Sequence, residues 1–134
     1  MTWIKRISYN DGGRRAAGFK TVQVGDCVNR ALAILTNTPY NDVRNQLIEL
    51  CGKERGKDKS HPETGIYPRT YKKFLKRLGV TKLNKVTSWE DLPQQGRILV
   101  VLDQHVVAVI DGVFHDTYDP VEKPADLQGY YHFG

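Results

Sequence analysis

Cys27 stands in the stretch Val24-Gly25-Asp26-Cys27-Val28-Asn29-Arg30, just after a glycine-aspartate pair and at the expected first turn of a helix. Backbone N–H groups at a helix N-terminus have no intrahelical acceptor and the helix dipole is positive there, so a cysteine at this point is favoured as thiolate, the nucleophilic form. Far downstream, Asp103-Gln104-His105-Val106-Val107-Ala108-Val109-Ile110-Asp111-Gly112-Val113-Phe114-His115-Asp116-Thr117 carries a histidine and a carboxylate on the two arms of a hairpin pattern. A thiol, an imidazole and a carboxylate are the parts of a nucleophilic acyl-transfer site. The thiolate attacks a carbonyl carbon; the imidazole takes the thiol proton and later returns it to the leaving group; the carboxylate orients the ring and stabilises its charged form. Donors for the developing oxyanion are also required, and the Cys27 backbone N–H with Gln23 are the candidates, Gln104 being a second side-chain choice.

The hairpin supplies a geometric test of that grouping. With Asp111 and Gly112 as a two-residue turn, Ile110 faces Val113, Val107 faces Asp116 and His105 faces Tyr118. Side chains alternate along a strand, so His105, Val107 and Val109 share a face with Phe114, Asp116 and Tyr118. His105 and Asp116 are then diagonal neighbours at roughly 7 Å between backbone positions, near enough for a side-chain hydrogen bond. His115, Thr117 and Asp119 point the other way. A zinc site built from Cys27, His61, His105, His115 or His132 lacks the close ligand pairs such sites use, so no metal and no cofactor is expected.

The elements that must position these residues are readable from apolar period and turn chemistry. Imperfect alternation in Trp3-Ile4-Lys5-Arg6-Ile7-Ser8-Tyr9 suggests a short edge strand, and Asn10-Asp11-Gly12-Gly13 a turn. Val28, Ala31, Leu32 and Leu35 recur at helical spacing, with Asp26 as expected N-cap and an end near Thr36-Asn37. Thr38-Pro39 opens a second helix with Tyr40, Val43, Leu47, Leu50 and Cys51 inward, stopped by Gly52. On that face Cys51 reads as a small core residue. The charged segment 53–63 has no apolar period and is expected to be a mobile surface loop. A third helix follows Gly65-Ile66-Tyr67-Pro68, with Tyr67, Tyr71, Phe74, Leu75 and Leu78 inward, Lys72, Lys73, Lys76 and Arg77 outward, and Gly79 after its end. Residues 80–86 suggest a short strand, Thr87-Ser88-Trp89-Glu90-Asp91-Leu92-Pro93 a capped turn, Ile98-Leu99-Val100-Val101-Leu102 a central strand covered on both faces, and Gly129-Tyr130-Tyr131-His132-Phe133 a last strand.

With 134 residues, 40% of them hydrophobic, the chain is expected to be a single domain, 1–134, with a real core. No stretch approaches the roughly 18 consecutive apolar residues of a membrane span, and no signal-peptide core follows Met1, so a cytoplasmic protein without a membrane partner is expected. Two cysteines do not make a disulfide framework, which favours free thiols. The net charge of +5 permits an acidic partner, but Tyr67, Tyr71 and Phe74 fall at core spacing rather than as a stacking platform, so nucleic acid is not the expected partner.

Tyr9-Asn10-Asp11-Gly12-Gly13-Arg14, Ala17-Gly18-Phe19-Lys20, Gly25-Asp26-Cys27-Val28-Asn29-Arg30-Ala31 and the late stretch from His105 to Thr117 resemble small phage and prophage proteins with a papain-like cysteine peptidase fold. The resemblance covers most of the chain. It implies an α+β fold of N-terminal helices packed on a small antiparallel sheet, and it places Cys27, His105 and Asp116 on the family's catalytic positions. Where papain-like enzymes usually place the oxyanion glutamine this chain has Thr21, with Gln23 nearer the cysteine. The resemblance implies no substrate; the residues and the resemblance together lead to the expectation of a thiol hydrolase acting on a peptide, isopeptide or amide bond of a protein or peptide, host or phage proteins among the candidates, with host cytoplasm as the location of a phage-encoded chain. Acyl transfer and deamidation would use the same residues, and a non-catalytic protein of this fold that binds and inhibits or redirects a host factor is the alternative from another class.

Overall fold

Branched residues with no polar interruption place β3 (Arg97–Leu102) in the middle of a six-stranded sheet, where it is buried from Ile98 onward. The computed structural model describes residues 6–19, 25–117 and 126–134. The other elements are β1 (Arg6–Tyr9), α1 (Cys27–Thr36), α2 (Tyr40–Gly52), α3 (Pro68–Arg77), β2 (Asn84–Lys85), a short 3₁₀ turn (Trp89–Asp91), β4 (His105–Ile110), β5 (Val113–Asp116) and β6 (Leu127–His132). Strand order is β1-β5-β4-β3-β6-β2. This is an α+β arrangement, but the sheet is mixed rather than wholly antiparallel as expected: β1 pairs with β5 in parallel, Tyr9 beside Asp116. Parallel neighbours need a long crossover, and here all three helices lie in the chain between the two strands.

The hairpin has the expected register, with Ile110 opposite Val113, Val109 opposite Phe114 and Ala108 opposite His115. Asp111 and Gly112 both take positive φ, 49° and 79°, as a two-residue turn joining right-twisted strands requires. Alternation along β3 and β4 then divides the core. Leu99, Val101, Val106 and Ala108 face the helices and meet Val28, Ala31, Leu32 and Leu35 of α1. Ile98, Val100, Leu102, Val107 and Val109 face away, with Phe114, under Leu92 and Trp89 from the 3₁₀ turn region. The segment around Trp89 thus covers the second face of the central strands and shields them from water.

Helix ends depart from expectation in informative ways. Asp26 precedes α1, but its carboxylate makes no capping bond and turns inward instead. Thr38 does not cap α2; Pro39 holds the N-cap position, the helix begins at Tyr40, and Gly52 is its last residue. Tyr67 and Leu78, expected inward, are 36% and 46% exposed because they flank α3 as its two caps and lie off the buried stripe of Thr70, Tyr71, Phe74 and Leu75. At the other end of α1, Asn37 caps in the left-handed conformation at φ 50°, where the spacing placed the stop.

The 53–63 segment is the larger correction, because it is folded around a buried carboxylate. Glu54 accepts from the Ser60 backbone N–H at 2.6 Å and from the hydroxyls of Ser60 and Thr70. Burial opposes its charge, yet these three donors outweigh that cost and hold it below the ordinary glutamate range. His61 pairs with Gly65 to close the bend that follows. No helix among the described residues is long and apolar enough to cross a membrane.

Candidate active site

α1 begins with Cys27, β4 begins with His105 and β5 ends with Asp116, so the helix N-terminus and one end of the sheet bring these three residues together. Asp116 Oδ2 lies 2.8 Å from His105 Nε2 across the adjacent strands. That bond uses one ring nitrogen and leaves Nδ1 for the hydrogen bond His105 makes with the Cys27 side chain. His105 is therefore held from both sides, and only 11% of its side chain remains exposed. Burial works against the imidazolium; the Asp116 hydrogen bond, the hydrogen bond and charge of Cys27, and the Asp116 charge outweigh it and push the His105 pKa up to about 9. His105 is thus held as the imidazolium at neutral pH, a form able to donate a proton.

Asp116 is itself saturated. Its Oδ1 accepts from the Thr117 backbone N–H at 2.8 Å and from Arg30 Nη1 at 3.0 Å. Arg30 Nη1 also donates to Thr117 Oγ1 at 2.6 Å, while its Nε lies 2.9 Å from Asp26 Oδ1. Asp26, fully buried, is held further by Arg14 Nη1, 3.2 Å from both carboxylate oxygens, and by the Tyr40 hydroxyl at 3.0 Å. Burial first, and then the neighbouring Asp26, push the Tyr40 phenol well above its usual range, so it donates to Asp26 as a neutral hydroxyl. Charges alternate along the whole chain from Arg14 through Asp26, Arg30 and Asp116 to His105, which is how five ionisable groups share one low-dielectric region without an unpaired charge.

Cys27 and His105 open onto a cleft of ≈ 690 Å³ whose walls include Ser60, Tyr67, Tyr71 and Gln104. One wall is the folded 53–68 segment; the other is the turn between β3 and β4, where Gln104 takes φ 57°. Gly25 makes the first wall fit: a Cβ there would stand 2.7 Å from the Thr64 carbonyl carbon, so only glycine lets the two backbones meet beside Cys27. Burial, helped by the nearby Tyr131 and Cys27, raises the Tyr71 phenol, which sits in this wall as a neutral hydroxyl.

Gln23, proposed as oxyanion donor, and Tyr118, the expected partner of His105, lie outside the described residues. His115 points away from the site, as alternation required. It lines a separate shallow cavity with Asn10 and Ile34, and burial lowers its pKa. Cys51 is buried in the core. Among the described residues, no three His, Cys, Asp or Glu side chains cluster to hold a metal ion. Sequence reading missed Arg14, Asp26, Arg30 and Glu54 as buried polar groups, and it placed Tyr40 inward without its bond to Asp26. A signal existed for one pair: Asp26 and Arg30 are four residues apart, the spacing at which helix-surface charges of opposite sign meet.

Comparison of the chain with protein-family models, with curated protein sequences and with solved structures finds no match in any of the three.

Proposed function

We propose that this chain is a papain-like thiol hydrolase of the kind found in phage and prophage proteins, cleaving a peptide, isopeptide or amide bond of a protein or peptide in the cytoplasm. The observation that carries the reading is His105, hydrogen-bonded to Cys27 on one side and to Asp116 on the other at the floor of an open cleft. In the proposed first half-reaction Cys27 Sγ attacks the substrate carbonyl carbon and a C–S bond forms. The C–N bond breaks, and His105 gives its proton to the departing amine. Water then attacks the thioester carbon and gives a proton to His105, the C–S bond breaks with Cys27 Sγ as the leaving group, and the acid product departs from the restored Cys27-His105 pair. An amine in place of water would turn the same site to acyl transfer, and a side-chain amide as substrate would make it a deamidase. The Cys27 backbone N–H at the start of α1 and the Gln104 side chain on the cleft wall are the described candidates for oxyanion donors.

The test is hydrolysis of a fluorogenic peptide-amide library, with intact-mass detection of a covalent adduct at Cys27 after treatment with a peptidyl chloromethyl ketone. Turnover and adduct should both vanish in Cys27→Ala while the thermal unfolding transition persists. An effect on host proteins that survives Cys27→Ala would instead assign the chain to the non-catalytic binding proteins.

A further inference from the structure

We infer that Arg30 is a positioning residue of the Cys27-His105-Asp116 site, clamping Asp116 of the hairpin to the helix that carries the nucleophile. The inference rests on the hydrolase reading and adds to it a residue one helical turn beyond Cys27. A functional triad drawn from a helix and a hairpin has one weak point, the relative placement of those two elements. Cys27 moves with α1, whereas His105 and Asp116 move with β4 and β5. Arg30 spans that gap with a single side chain, 6% exposed, reaching Asp116 Oδ1 at 3.0 Å and Thr117 Oγ1 at 2.6 Å from Nη1. Its Nε is 2.9 Å from Asp26, the residue immediately before Cys27.

The chemistry of the side chain suits this task. A guanidinium is a planar, rigid, charged fork: Arg30 Nη1 hydrogen-bonds Asp116 while Nε keeps an ion-pair contact with Asp26, so the carboxylate it bonds keeps its orientation. A lysine ammonium carries the same charge but cannot reproduce the fork. Arg30 meets Asp26 ahead of α1 and Asp116 and Thr117 at the end of β5; Asp26 is held in turn by Arg14 from the 10–18 loop and Tyr40 from α2, and Asp116 by His105 from β4. Asp26, braced by Arg14 and Tyr40, is the anchor; Arg30 is the strut; Asp116 is the part being held. Because Asp116 shares its charge between Arg30 and His105, loss of the guanidinium must also change how strongly Asp116 acts on the imidazole.

The experiment is NMR of the His105 ring in the whole chain, following its titration from pH 6 to 10.5 and the exchange of its Asp116-bonded Nε2–H. In Arg30→Met the titration midpoint should move up by about 0.5–1 on the pH scale, because removal of a nearby cation favours the imidazolium. Arg30→Lys should restore most of the midpoint while the Nε2–H exchanges faster than in the parent chain. Thr117→Val, which removes only the hydroxyl anchor, should speed that exchange without moving the midpoint. If Arg30→Met does not fold, the exchange rates of the other two variants decide. An unmoved midpoint in folded Arg30→Met, or unaltered exchange in both Arg30→Lys and Thr117→Val, overturns the inference. The hydrolase reading has a separate readout in the same samples, selective iodoacetamide alkylation of Cys27 and its loss of selectivity over Cys51 in His105→Ala. Silent Arg30 variants in a chain that keeps this coupling would remove Arg30 alone, and absence of the coupling would remove the hydrolase reading.

Discussion

Asp116 Oδ2 and His105 Nε2 stand 2.8 Å apart at the ends of neighbouring antiparallel strands, beyond the Ala108–His115 pair at which the ladder from the Asp111-Gly112 turn ends. The bond fixes which imidazole nitrogen faces Cys27. Asp116→Asn keeps the shape of the side chain but removes the charge and allows the amide to present a donor where an acceptor is needed. Under the proposed mechanism turnover should fall by about 10²–10⁴-fold, and the unfolding temperature should fall as well because Arg30 and His105 lose their buried counter-charge. Steady-state kinetics on the best library peptide would check this, and a loss below tenfold would separate Asp116 from the chemistry.

The raised His105 pKa makes a signed prediction about stability. Its folded value of about 9 exceeds the ordinary 6.5, so the folded state binds this proton more tightly than the unfolded chain. The resulting stabilisation is fully present below about pH 6.5 and is lost as pH rises through about 9. Every tenfold gain in proton affinity is worth about 1.4 kcal/mol, giving a loss on the order of 3 kcal/mol between those limits. Urea unfolding at stepped pH should show that decline in the parent chain and a flatter profile in His105→Ala.

What the residues disclosed in advance follows from the range of the forces involved. The hairpin, the buried strand at 97–102 and the apolar stripe of α1 are local patterns, decided by turn chemistry and period within a few residues. The parallel pairing of Arg6–Tyr9 with Val113–Asp116 joins segments from opposite ends of the chain with no turn between them, and nothing in either strand specifies it. Cys27, His105 and Asp116 were legible because each combines a reactive type with a defined place on an element. Arg30 and Glu54 were not: charged residues default to the surface, and their partners, Asp116 and Thr70, are distant in sequence. A charged loop without apolar period looked mobile because composition does not reveal that one of its carboxylates is buried against hydroxyls.

That buried carboxylate yields a prediction on the cleft wall. Glu54→Gln keeps one acceptor oxygen but replaces the other with a donor that faces Ser60 and Thr70 hydroxyls. A stability loss of about 1–3 kcal/mol is expected, the cost of leaving a buried polar group poorly matched. Because the Glu54 pKa is held below 4.5, its stabilisation is present above that pH and is lost as pH falls further. Hydrogen exchange of residues 54–65 should therefore accelerate in the parent chain below about pH 4.5, and at neutral pH in Glu54→Gln. Uniform protection across that segment in the variant would mean that the wall does not depend on Glu54.

Gly25 tests whether the wall and the nucleophile are built as one unit. Its φ of 111° lies where side chains are strained, and a Cβ would meet the Thr64 carbonyl carbon at 2.7 Å and oxygen at 2.8 Å. Both obstacles are backbone, so neither can rotate away. Gly25→Ala must therefore either push residues 64–65 outward or tilt the start of α1. A destabilisation of about 2–4 kcal/mol is expected from the combined backbone strain and overpacking, measured as a lower urea midpoint at unchanged slope. Thr64 and Gly65 line the cleft together with Cys27, so the displacement should also widen the site. In terms of the proposed reaction, KM for the library peptide should rise more than kcat falls, since the displaced contact is with a cleft wall rather than with His105 or Asp116. A variant with parental stability and parental KM would show that the contact between Gly25 and Thr64 is relaxed at no cost, and that the wall stands independently of the helix that carries Cys27.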